Sequence, residues 1–102
     1  MRLLLKDLEL PRNRAVTIRA YAKPAQGDES FIGLLAVMGD SATAAGNHKM
    51  PDARITATSA FRRWLEAGSV AAPLSVILRP FAGKTVLKDL DWSVGAVEWG
   101  CN

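Results

Sequence analysis

The run Leu90-Asp91-Trp92-Ser93-Val94-Gly95-Ala96-Val97-Glu98-Trp99 carries the plainest structural signal in the chain. Leu90, Trp92 and Val94 recur at every second position, so an extended backbone puts them on one face and Asp91 and Ser93 on the other. Beyond Gly95 the apolar positions move by one residue, to Val97 and Trp99. A change of phase beside a glycine predicts a β-bulge. The same period of two returns upstream. Leu74, Val76 and Leu78 alternate with Ser75, Ile77 and Arg79 until Pro80 stops the run. Val16, Ile18, Ala20 and Ala22 alternate with Thr17, Arg19 and Tyr21. A first strand begins near Arg2 and closes on Leu8 and Leu10, with Pro11-Arg12-Asn13-Arg14 as the turn after it.

Four further segments complete the pattern. Phe31 to Met38 is apolar on both faces, as a central strand covered on both sides would be. Residues 39–51 are small and polar with no periodicity, which predicts a long, flexible loop. Arg54 to Thr58 is then a short strand. After it the period changes to that of a helix: Phe61, Trp64 and Leu65 stand at i, i+3 and i+4. The helix is expected over about 59–67, with Ser59 as N-cap, Gly68 beyond its end, and Arg62, Arg63 and Glu66 on the wet side. Strands and helices do not alternate regularly, which argues against a parallel sheet wound on both faces. The expected fold is mostly β: one domain over 1–102, an antiparallel β-sandwich of six or seven strands with one short α-helix before the strand at 74–79.

Composition narrows the function. The 102 residues are 49% hydrophobic and 23% charged, an ordinary globular balance. The most hydrophobic stretch, Phe31 to Met38, falls far short of the ~20 residues that span a bilayer as a helix. Acidic residues follow the short apolar run Leu3-Leu4-Leu5 at once, unlike a signal peptide, so a cytoplasmic chain without membrane contact is expected. The net charge of +3 comes from 13 Lys/Arg against 10 Asp/Glu, scattered along the chain. Only Arg62-Arg63-Trp64 groups cations with an aromatic, and there they are the wet side of a helix; nucleic-acid binding is disfavoured. With one cysteine, Cys101, no internal disulfide can form, and with one histidine, His48, the chain cannot build a zinc centre from Cys and His alone.

Residues able to carry chemistry are few. A nucleophile–His pair would have to use His48 with Ser41 or Cys101, and no Gly-x-Ser-x-Gly elbow is present. Asp89 and Asp91 would share a strand face, a spacing open to paired-carboxylate chemistry and equally to a solvated polar face. Gly83-Lys84-Thr85 ends like a phosphate-binding loop, but Leu78 stands where the motif's first glycine belongs. Met38, His48 and Met50 bracket the loop, and Cys101 could join them; thioether, imidazole and thiolate suit copper(I). The plainer alternative has Met38 ending a buried strand, Met50 closing the loop over the core, and His48 in water.

Several segments, in order, resemble the β-sandwich domain that follows the dicopper domain in plant-type polyphenol oxidases and related tyrosinases. They are Leu8-Glu9-Leu10-Pro11, Arg19-Ala20-Tyr21-Ala22-Lys23-Pro24, Glu29-Ser30-Phe31-Ile32-Gly33, the loop Gly46-Asn47-His48-Lys49, the helix Phe61 to Leu65, Val76-Ile77-Leu78-Arg79-Pro80, and Gly95-Ala96-Val97-Glu98-Trp99. The motifs span nearly the whole chain, and each is short. The resemblance implies a domain with no copper ligands of its own that packs on a catalytic domain and shields its active site. Here the domain stands behind its own Met1, as an excised piece or a separate subunit. The expected role is a non-catalytic accessory sandwich, without a cofactor of its own, that docks on a type-3 copper oxidase and covers its site or aids its maturation. No residue is motif-matched to the docking contact. Two alternatives stand beside it: a small copper(I) carrier using Met38, His48 and Met50, and a homo-oligomeric assembly module.

Overall fold

A computed structural model describes residues 2–24, 27–41, 43–67 and 74–100. Seven strands and one helix follow in the order β1 (Arg2–Pro11), β2 (Val16–Pro24), β3 (Ser30–Val37), β4 (Asn47–Thr56), α1 (Ser59–Glu66), β5 (Leu74–Ala82), β6 (Thr85–Val86) and β7 (Ala96–Gly100). They form two antiparallel sheets, one ordered β4-β1-β7 and the other β3-β2-β5-β6. The result is the β-sandwich expected from the alternation. No helix among the described residues is long and apolar enough to cross a membrane.

The core follows directly from the period of two. Leu3, Leu5, Leu8 and Leu10 of β1 and Val16, Ile18, Ala20 and Ala22 of β2 are all buried, joined by Ile32, Ala53, Ile55, Ala57 and Phe61. Each central strand therefore buries every inward side chain against the opposite sheet. Full burial of an aliphatic or aromatic side chain contributes roughly 1.5–3 kcal/mol, so these two strands carry most of the domain's cohesion.

The phase change at Gly95 is real, but it is not a bulge. Pairing runs from Arg2↔Gly100 to Lys6↔Ala96 and reappears at the bridge Glu9↔Ser93 without gaining or losing a residue. The same switch occurs beside it in β1, where burial passes from Leu3 and Leu5 to Leu8 and Leu10. It occurs again in β4, between Met50 and Ala53, across Pro51 and Asp52. Register there is also unbroken, Lys6↔Asp52 being followed by Leu8↔Met50. All three strands thus turn over together. The pivot is Asp7, whose φ of 53° lies in the left-handed region. Aspartate tolerates that region better than most residues, through its short side chain. Gly95 sits opposite the pivot; a Cβ there would come within 3.1 Å of the Asp7 Cβ. Asp7→Val is expected to lose about 1–2 kcal/mol, the cost of forcing a bulky residue left-handed. Asp7→Asn should be near neutral, and paired urea melts check both.

A true bulge lies in the other sheet. Ala20 pairs with Gly33 but Tyr21 with Phe31, so β3 holds one extra residue, Ile32, whose side chain is buried. Its carbonyl accepts the Thr58 N–H at 2.8 Å. That bond ties β3 to the start of α1, where Thr58, not Ser59, is the cap: its hydroxyl accepts the Phe61 N–H at 3.1 Å. The cap lies one residue earlier than expected. Phe61 is the buried residue of the helix, with Trp64 and Leu65 packed partly behind it. Gly68 lies outside the described residues.

Three other expectations change. The flexible loop 39–51 is shorter, because residues 47–51 belong to β4 and pair with β1 from Pro11↔Asn47 onward. The remaining connection is tied down by Arg12 N–H to Gly46 O at 3.2 Å and Asp40 N–H to Arg12 O at 2.7 Å. The last strand is shorter than its alternation: 87–92 is irregular, and Asp89 and Asp91 stand exposed on it rather than on a strand face. Finally, Phe31 to Met38 forms not a central strand but β3, at the edge of its sheet with its outer side uncovered.

Candidate interaction face

The outer surface of the four-stranded sheet gathers side chains that alternation assigned to the polar side. On β2 these are Thr17, Arg19 and Tyr21. Their cross-strand partners are Ala36, Leu34 and Phe31 on β3 and Phe81, Arg79 and Ile77 on β5. The β3 bulge matters here. By taking Ile32 inward, it lets Phe31 and Leu34, three positions apart, both face out.

Two diagonal stacks organise the surface. The Arg19 guanidinium lies 4.2 Å from the Phe81 ring centre, and that of Arg79 lies 4.8 Å from the Tyr21 ring. Tyr21 in turn meets Phe31 edge-on at 5.7 Å. Arg79 donates to both carboxylate oxygens of Glu29 at 2.8 Å. This fork holds the Glu29 carboxyl below its ordinary value, chiefly through the hydrogen bonding, and raises Arg79. Such stacking covers Phe81, which is only 7% exposed on the outer side of a sheet. β3 has no such cover. Leu34 is 50% exposed and Met38, just past the strand, 78%. Tyr, Phe and Arg fixed by mutual stacking, beside bare aliphatic side chains, match the composition of protein-binding surfaces.

Of the residues singled out from the sequence, Met38 stands just past the end of β3 beside this face, and the others lie elsewhere. His48 is in β4 opposite Leu10, its Nε2 3.4 Å from Asp40 Oδ1. Asp40 itself accepts from Arg12 Nε at 2.8 Å, and this hydrogen bond holds its carboxyl below the usual value. Arg12 and Asp40 thus staple the 38–46 connection to the β1–β2 turn. Met38 lines a shallow cleft with Asn13, Arg14, Ala15, Gly39, Asp40 and Ser41. Met50 lines a different one with Asp7, Leu8, Glu9, Lys49 and Pro51. Among the described residues no group of three or more His, Cys, Asp or Glu is placed to hold a metal ion. Cys101 lies outside the described residues. Gly83 and Lys84 form the tight turn between β5 and β6, with Gly83 at a φ of 62°. The likeness of this segment to a phosphate loop therefore ends in a hairpin.

Sequence reasoning missed the outer face because Arg19, Tyr21 and Arg79 fit a solvated side. The available signal was the placing of aromatics there: Tyr21 and Phe81 fall at outward positions of two adjacent strands. Compared with protein-family models, curated proteins and solved structures, the chain matches none.

Proposed function

We propose that this chain is a non-catalytic accessory module that docks on a partner protein through the outer face of its four-stranded sheet. The observation that supports the proposal is the uncovered apolar side of β3, Phe31, Leu34 and Met38, set beside a prearranged Arg–aromatic array. A sheet face that only met water would gain nothing from holding these side chains bare. The partner proposed is a type-3 copper oxidase subunit of the tyrosinase and polyphenol oxidase kind, which the sequence resemblance implies. Copper would then belong to the partner, and the sandwich would shield its site or aid its maturation.

The test is capture on the tagged chain from its native cells, with copper analysis of the eluate and phenol-oxidation assays. A copper-containing oxidase should co-purify with the wild-type chain and be lost with Leu34→Glu. The pure chain, given copper, should oxidise no phenol. Turnover by the chain alone overturns the accessory role, and copper in the eluate without any partner favours a carrier.

A further inference from the structure

The outer face holds an imbalance of charge. Arg19 and Arg79 stand directly opposite each other on β2 and β5. Like charges so placed repel unless compensated. Glu29 compensates Arg79 with a two-pronged pair. Arg19 makes no ion pair among the described residues. It donates from Nη2 to the uncharged carbonyl of Gly83 at 3.3 Å, and its Nε has no acceptor. The Phe81 ring beneath nonetheless keeps the guanidinium in place. Its other neighbour across the sheet is Leu34, half exposed.

We infer that the face recognises a protein segment carrying an Asp or Glu beside an apolar residue, the carboxylate pairing with Arg19 and the apolar side chain covering Leu34 and Phe31. This rests on the docking role proposed above and specifies its chemistry. A second carboxylate makes the cross-strand arginine pair symmetric, each guanidinium stacked on a ring and facing an anion. Arginine presents a planar fork suited to a carboxylate, and stacking on Phe81 removes much of the entropy cost of holding it. Leu34 stands on β3 while the Arg19 guanidinium is held over Phe81 of β5, so the partner's anion and its apolar group would meet complementary groups two strand spacings, roughly 10 Å, apart.

The experiment is a titration of the isotope-labelled chain with a blocked, extended peptide repeating Glu-Thr-Leu-Thr, which sets glutamate and leucine on one face two residues apart, followed by amide chemical shifts. Shifts should concentrate on Arg19, Leu34 and Phe81. Replacing the peptide's glutamates by glutamine, or using Arg19→Gln, should weaken binding about tenfold, the size of one charge-assisted hydrogen bond. Arg19→Lys should restore only part of it, since lysine keeps the charge and loses the fork. Equal affinity for the glutamine peptide, shifts centred elsewhere, or no binding at millimolar peptide overturns the inference. A captured partner that is lost with Leu34→Glu yet kept with Arg19→Gln overturns it too, while leaving the docking role intact. A dimer of the free chain in sedimentation, broken by Leu34→Glu and indifferent to Arg19→Gln, would assign the face to a second copy instead.

Discussion

Phe61→Ala should remove about 3–5 kcal/mol of stability, the usual loss when a buried aromatic becomes a small side chain. For 102 residues the whole stability is of the order of 5–15 kcal/mol, so the variant stands near the edge of folding. The reason is what meets at this side chain. Phe61 is 1% exposed and stacks almost flat on Trp99, with ring centres 5.9 Å apart and planes 5° from parallel. The Trp64 ring centre lies 5.6 Å away, tilted by 32°. Trp99 belongs to β7, a five-residue edge strand whose side chains are largely exposed. Loss of the ring therefore empties the core and also frees the edge strand from the helix. Urea unfolding measures the loss, and the emission of Trp64 and Trp99 should shift to longer wavelength even in the folded baseline. A loss below about 1 kcal/mol would show that the stack is not a support of the fold.

Gly33→Ala is the second large effect, about 3 kcal/mol, at the top of the range for overpacking a tight core. An alanine Cβ would stand 2.5 Å from the Thr56 carbonyl oxygen and 2.9 Å from the Ile55 Cγ2. The first contact is backbone and cannot be relieved by turning a side chain, so β3 must move away from the end of β4. The movement has a functional reading as well. Phe31 and Leu34 flank this glycine, and their shared outward direction depends on the bulge it belongs to. Partner capture should accordingly fall in Gly33→Ala even at temperatures where the domain remains folded. Gly95→Ala, whose new Cβ would come no nearer than 3.1 Å, to the Asp7 Cβ, should cost less than a 2.5 Å contact. Equal midpoints for Gly33→Ala and wild type in urea would refute the assignment of close approach.

Most of the sandwich was legible in the sequence, because β2 and β5 alternate cleanly, β1 alternates on either side of Asp7, and the helix changes the period around Phe61. What escaped has identifiable causes. β4 holds Met50 and Ile55 on one inner side, but the turnover at Pro51 puts them an odd number of residues apart, so a search for period two finds only its second half. Pro51 strengthens the impression of a loop, although an edge strand accommodates it. β3 reads as covered on both sides because composition cannot distinguish an apolar face packed on protein from one left bare. The candidate face was the least legible part. Its content lies in diagonal contacts, Arg19 over Phe81 and Arg79 over Tyr21, between residues more than fifty positions apart. His48, Met38 and Met50 were conspicuous for their chemistry, yet topology sets them in separate surroundings.

The aligned turnover at Asp7, Pro51 and Gly95 also constrains assembly. In an ordinary sheet, a slip of two residues between neighbouring strands keeps every apolar side chain on its proper face, and hydrophobicity alone cannot reject it. Here such a slip would move the turnover of one strand out of line with its neighbours, turning Leu5 or Leu8 to the water over part of its length. The left-handed aspartate thus acts like the cut of a key. It gives even-numbered misalignments a cost that alternation by itself does not impose, and leaves β1 a single position between β4 and β7.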